Sequence, residues 1–383
     1  MMSLRIQMSQ LAVAAGLLAS AMAQICTPEL GDEGYAYIVN SQSDLDTITA
    51  NCMTVNGSIL MSVDYTGGFS LANIRNITGN LQWYQSSGPS NNTPQTTSMD
   101  LPDLEYVGGS LEVSSIPTLT SLIAPKLETV HWSLDIDHAH EVDLRSLVDL
   151  EYMRIAGNVS SLRLDSLREV REHFRICNRD NCDPDISPNG SLGLSFPALE
   201  KAGEMDLEGR FSSFDMPKLT NVTGIGGFYY AIQLLTSGGP AINISFPELK
   251  YLPEGGSLSF EGNIGSLSIP DISNIGSLAI NAYDRLDVNL PFQEASNIML
   301  TGNITSVQLP NLTSIEQISV NSDADIDCKS FQQTIMTATN KSESSVTCST
   351  SYANSGSHFS HLHLGAKVVF GVFVGIFVEF AML

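Results

Sequence analysis

The chain has 383 residues, long enough for two ordinary domains. Its 41 Asp and Glu against 18 Lys and Arg give a net charge of −23, which argues against nucleic acid or an anionic membrane surface as partner. Only 15% of the residues are charged, so the acidity belongs to a folded, Ser/Thr/Asn-faced protein and not to a solvated acidic tail.

Residues 1–23 read as a secretory signal peptide. Arg5 precedes an apolar run, Leu11 to Ala19, and Ala21-Met22-Ala23 supplies a small-x-small cleavage site. Cys26 and Cys52 follow as the first two of six cysteines; the others are Cys177, Cys182, Cys328 and Cys348. A secretory route favours disulfides. Six cysteines allow 15 pairings, and their grouping into early, middle and late pairs favours nearest neighbours, with the outer two pairs closing the ends of a repeat array. The two thiols of "CNRDNC" do not by themselves complete a zinc site. Ten N-x-S/T sequons, at Asn56, Asn76, Asn91, Asn158, Asn189, Asn221, Asn243, Asn303, Asn311 and Asn340, predict a heavily glycosylated extracellular surface.

The main body, 24–339, is a repeat domain. "EGNIGSLSIPDISNIGSLAI" (from Glu261) and "TGNITSVQLPNLTSIEQISV" (from Thr301) align without a gap. Apolar residues in the first fall at Ile264, Leu267, Ile269, Ile272, Ile275, Leu278 and Ile280, and the second repeats those steps of two and three. A helix would average 3.6. A step of two is a short strand with two inward side chains; a step of three is a corner. The corner recurs at Pro102, Pro125, Pro197, Pro217, Pro247, Pro270, Pro291 and Pro310, with Ala72, Val148 and Ser166 read as its equivalents in other turns. Proline suits a corner that donates no ladder hydrogen bond. Three longer gaps read as insertions: Gln85 to Ser98, the Cys177–Cys182 region, and Phe228 to Pro240.

These repeats predict an all-β parallel β-helix of about eleven turns, a rod of roughly 50 Å at the strand spacing of ~4.8 Å. The alternative is a leucine-rich-repeat horseshoe, whose L-x-L-x-x-N signature "LSFEGN" and "IMLTGN" both fit. The Pro, Gly and Ser between strands favour the β-helix.

Between the inward pairs, each turn shows one outward residue. In order these are Glu112, Asp135, Arg154, Arg175 and Asp206, followed by Ser259, Ala279, Met299 and Ser319. Stacked turns would set Asp135 against Arg154 and Arg175 against Asp206. Charge compensation on one sheet face accounts for this ladder; a sugar-binding strip is the functional alternative. "HWSLDIDHAHE" (His131 to Glu141) adds Asp137, on the face of Asp135. Two carboxylates could act as acid and nucleophile on a glycosidic bond, and His138 with His140 could ligate a metal; an ordinary solvated turn explains the cluster equally well. "NSDADIDC" spaces Asp323, Asp325 and Asp327 as in a Ca²⁺ loop but lacks its Gly and Glu, and reads as an acidic end cap. There is no H-E-x-x-H, G-x-S-x-G, Walker or Rossmann motif.

Residues 340–356 form a short Ser/Thr-rich segment ending in Asn354-Ser355-Gly356; 357–383 hold a polar spacer and an apolar tail. That order matches a GPI-attachment signal, with Asn354 as attachment site and Ser355 as second choice. The uncharged run between Lys367 and Glu379 is short against the roughly 20 residues of a span.

The Pro-x-Leu corners, paired end cysteines, signal peptide and GPI-type tail together resemble fungal cell-wall proteins of the Ecm/Sps type. Their repeat region is similar to the receptor L domain, a right-handed β-helix with leucine-rich-like turns. The resemblance covers roughly 24–354. It implies a GPI-linked plasma-membrane or wall glycoprotein needed for wall organisation and integrity, and it brings no catalytic residues, cofactor or metal. The expected role is a non-enzymatic scaffold presenting a rigid face to wall glycans or wall proteins. The alternatives are a glycan-active β-helix hydrolase or lyase using Asp135 or Asp137, and a ligand-binding receptor ectodomain. The sequons of the second repeat stretch, absent from the first, place any open contact surface near Glu261 to Ile280.

Overall fold

The computed structural model describes residues 24–83, 93–179, 182, 190–224 and 230–351. The sequons Asn91 and Asn189, the attachment candidates Asn354 and Ser355, and the segments 1–23 and 357–383 lie outside them. The described chain is a parallel β-helix of about 12 turns. Helices do not fill the intervals between strands, so the horseshoe does not hold.

Three ladders run along the solenoid. A front face stacks successive strands such as Gly34–Val39, Ser58–Met61, Leu111–Val113, Ser133–Ile136 and Asp149–Ala156, and continues to Val346–Thr350. A rear face stacks Thr66–Ser70, Gln95–Asp100, Ser121–Ile123, Glu141–Asp143 and Ser161–Arg163, with later rungs including Ile242–Ser245 and Ile264–Ser268. A narrow side ladder stacks two-residue strands, among them Asn76–Ile77, Tyr106–Val107 and Thr129–Val130.

The period-two pattern forms the front face because each strand sends two side chains inward. Leu134/Ile136, Met153/Ile155, Phe174/Ile176 and Met205/Leu207 are buried and stack in register. No turn could bury its apolar side alone; the core exists only as a stack.

The step of three is a β-turn. At most corners an apolar residue accepts a hydrogen bond from the amide three positions on, as in Leu127 N to Ala124 O at 3.2 Å and Leu312 N to Leu309 O at 3.2 Å. Proline occupies the second turn position, where its fixed φ is suitable and no N–H is required. The register Ile123–Asp143–Arg163 puts Arg145 and Asp165 at the proline position. Val148 and Ser166 are therefore not its equivalents, whereas Ala72 is, through the pairing of Ser70 with Asp100. Where proline is absent, the freed Arg145 amide donates to Asp143 Oδ1 at 3.3 Å.

Two further readings change. Ile232–Thr236, read as part of an insertion, is a front rung between Lys201–Gly209 and Ser257–Gly262. Residues 95–98, also assigned to an insertion, begin the rear strand Gln95–Asp100. Val346–Thr350 adds a front rung beyond residue 339, held by buried Val346 and by Cys348.

Helices close the ends. α1 (Gln42–Thr49) packs Leu45 and Ile48 under the first turns. α2 (Cys328–Thr339) packs Phe331 and Ile335 over the last ones. Asp327 accepts from Ser330 N at 3.0 Å as the N-cap of α2, so the acidic end segment is a helix start. The disulfides are Cys26–Cys52, Cys177–Cys182 and Cys328–Cys348, the nearest-neighbour pairing. No helix among the described residues is long and apolar enough to cross a membrane.

Candidate functional site: the front face

Parallel stacking turns the outward positions of the front face into a lattice. Register places Glu112, Asp135, Arg154, Arg175 and Asp206 in one line, continued by Gln233, Ser259, Ala279, Met299 and Ser319. On one side of it run Ser133, Tyr152, His173 and Glu204; on the other run Asp137, Ala156, Cys177 and Glu208. Gln233 is the member that the sequence reading skipped.

Two clusters form. In the first, Arg154 Nη1 donates to Asp135 Oδ1 at 2.7 Å and lies 2.8 Å from Asp137 Oδ1, off the N–H direction. Asp137 Oδ2 accepts from Ser115 N at 3.3 Å. Ser133 Oγ donates to Glu112 Oε1 at 2.8 Å. Burial raises the Asp135 carboxyl above its ordinary pKa, against the pull of Arg154, with Asp137 and Glu112 adding to the rise.

In the second, Arg175 Nε is 3.1 Å from Asp206 Oδ2, and Arg175 Nη2 is 3.8 Å from Glu208 Oε1. Asp206 is only 4% exposed, and burial followed by the Glu208 charge pushes it up to about 6 despite Arg175. Burial and then Arg175 lower the pKa of His173. Glu204 is buried beside them, and its Oε1 has no hydrogen-bond partner.

The structure thus brings together all six residues singled out as a strip. The histidines are placed otherwise: His138 sits at positive φ (67°) in the turn after the strand, with its amide donating to Ala156 O at 3.1 Å. Among the described residues no three His, Cys, Asp or Glu side chains are grouped to hold a metal ion. The carboxylates of "NSDADIDC" are dispersed: Asp327 caps α2, and Asp323 accepts from Ser351 Oγ at 3.0 Å.

Exposed aromatic groups flank the strip. Tyr152 stands next to Ser133 and His173 in the lattice, and Trp132 lies one residue before that row, in edge contact with His131. Further along, Glu261 Oε1 accepts from the Tyr283 hydroxyl at 2.7 Å and from Asn281 Nδ2 at 3.2 Å.

None of the described sequons occupies a front-face outward position. Asn76 and Asn221 are on the side ladder, Asn243 on the rear face, and Asn340 caps α2. Asn56, Asn158, Asn303 and Asn311 lie at corners or strand junctions, Asn56 just before the front rung that begins at Ser58 and Asn303 just after the Gly302 that ends another. The contrast between the two repeat stretches is therefore one of corners and strand junctions, and among the described residues the front-face outward positions are free of sequons.

Comparisons with protein-family models, with curated proteins and with solved structures give no match to this chain.

Proposed function

We propose that this chain is a GPI-anchored, non-enzymatic glycoprotein of the outer cell surface that contributes to fungal cell-wall organisation. In this reading it presents its front face to wall glycans or wall proteins. The observation that carries the proposal is the distribution of sequons: every described one avoids the lattice that holds Arg154, Arg175, their carboxylates and exposed Tyr152. Planar guanidinium and carboxylate groups beside an aromatic ring suit polyhydroxylated ligands. The proposed lipid tether would hold the rod at the membrane and raise its local concentration against the wall.

A scaffold is favoured over a glycoside hydrolase because Arg154 contacts both Asp135 and Asp137. A hydrolase needs its two carboxyl groups about 5–9.5 Å apart, with the scissile bond between them; here a guanidinium takes that space. The secreted protein is incubated with purified wall glucan and chitin. Retention without new reducing ends, weakened in an Arg175→Ala variant, is expected. New reducing ends that vanish in Asp135→Asn would establish the hydrolase instead. Release from cells by a phosphatidylinositol-specific phospholipase tests the anchor.

A further inference from the structure

A parallel β-helix leaves free sheet edges at both ends, and each is an invitation to another strand. Side chains of the end helices close two of them here. At the first rear strand, Gln42 of α1 uses its amide on both groups of Ser70: Nε2 donates to Ser70 O at 2.8 Å, and Oε1 accepts from Ser70 N at 2.9 Å. At the last front strand, Gln332 of α2 donates to Val346 O at 2.9 Å.

The last rear strand, 304–308, is covered only at its start, where Ser322 Oγ donates to Ile304 O at 2.6 Å. It pairs with 286–289 on one side. Gln308 faces that neighbour, since its carbonyl accepts from Leu290 N at 3.1 Å. By alternation, the Val307 N–H and C=O point to the free side. Among the described residues no strand or side chain hydrogen-bonds to Val307 from there. Instead a cleft of about 480 Å³ separates this edge from α2. Its floor is the end of the core beneath α2, formed by partly buried Val307 with Leu309, Phe331 and Ile335, and Asp325 stands at its rim.

We propose that this cleft is a β-augmentation site, which takes an extended segment of a partner protein as one more rear strand. A strand edge facing a helix across a groove is suited to peptides recognised by main-chain hydrogen bonds and alternate side chains. The occupant must place an aliphatic side chain on the core end, because parallel stacking continues the inward position over Val307. A basic residue beside it would meet Asp325 on a chain that carries a net charge of −23.

The probe is a fluorescent, end-blocked hexapeptide of alternating Lys and Val, titrated into the secreted protein. Its controls are the same peptide N-methylated at alternate residues and a Glu/Val counterpart. Saturable binding below about 1 mM is expected for the Lys/Val peptide alone. Val307→Pro should weaken it at least tenfold while Tm stays near wild type, because proline is tolerated where an edge N–H faces away from the sheet. Asp325→Lys should weaken it several-fold and flatten its salt dependence. Equal binding of the N-methylated or acidic peptide, or unchanged binding by Val307→Pro, would overturn the site. So would a concentration-dependent dimer abolished by Val307→Pro, since the occupant would then be a second copy.

Discussion

Arg154 reaches back one turn to Asp135 and, through the same nitrogen, approaches Asp137, with distances of 2.7 and 2.8 Å. One guanidinium thus holds two half-buried carboxylates that no covalent neighbour connects to it. Removing it leaves both acids in place without their counter-charge. Arg154→Ala is expected to destabilise the protein by about 1–2 kcal/mol, discounted for partial exposure. Asp135→Asn added to Arg154→Ala should restore part of that loss. Urea unfolding of the double-mutant cycle checks this; strictly additive effects would show that the contact contributes nothing.

The raised Asp206 carboxyl predicts a pH dependence. Its folded value of about 6 lies above the roughly 3.9 of an unfolded chain. Between those values the folded state binds more protons than the unfolded state, so this group's contribution to stability falls as pH rises from about 4 to 6 and is constant above. Asp206→Asn should flatten that part of the profile and stabilise the protein at pH 7.5 by on the order of 1–3 kcal/mol. Arg175 retains Glu208 in that variant. An unchanged slope across the window would refute the assignment.

Gly262 ends a front rung at φ 118°, and a Cβ there would lie 1.5 Å from Thr236 O on the turn beneath. Its neighbour cannot move without breaking the ladder. Gly262→Ala should therefore cost at least about 2 kcal/mol. Gly190, which has open space at its Cβ position, should accept alanine with little change. Similar melting temperatures for the two variants would disprove the stacking argument.

Phe174 is fully buried and meets Phe196 edge to face, with ring centroids 5.1 Å apart. Phe174→Ala is expected to cost about 3–5 kcal/mol, most of it from the cavity left between fixed turns. Differential scanning calorimetry measures the loss; a cost near 1 kcal/mol would mean that the stack collapses around the gap.

The strip was legible from sequence because a parallel stack with one short strand per turn turns spacing into register: Asp135 meets Arg154 since both follow the first inward residue of their rung. Gln233 was missed although Ile232 and Leu234 carry the same step of two, because the Gly- and Tyr-rich stretch before them masked the corner. Val148 and Ser166 were misplaced because only the hydrogen-bonded turn, not composition, marks which residue holds the proline position. α2 left a faint signal, Asp327 as a cap and Phe331 with Ile335 four apart, too short to outweigh the surrounding Ser and Thr.

By itself the sequence determined the coil, its proline-bearing corners and the order of the outward residues from Glu112 to Asp206, since each follows from local periodicity. Only the tertiary structure decided that Arg154 serves two acids, that Asp206 is buried, and that one rear edge stays open beside α2. Those properties depend on what packs against a residue from other turns and from the end helices. Burial and edge coverage are set by three-dimensional neighbours, and strand periodicity carries no record of them.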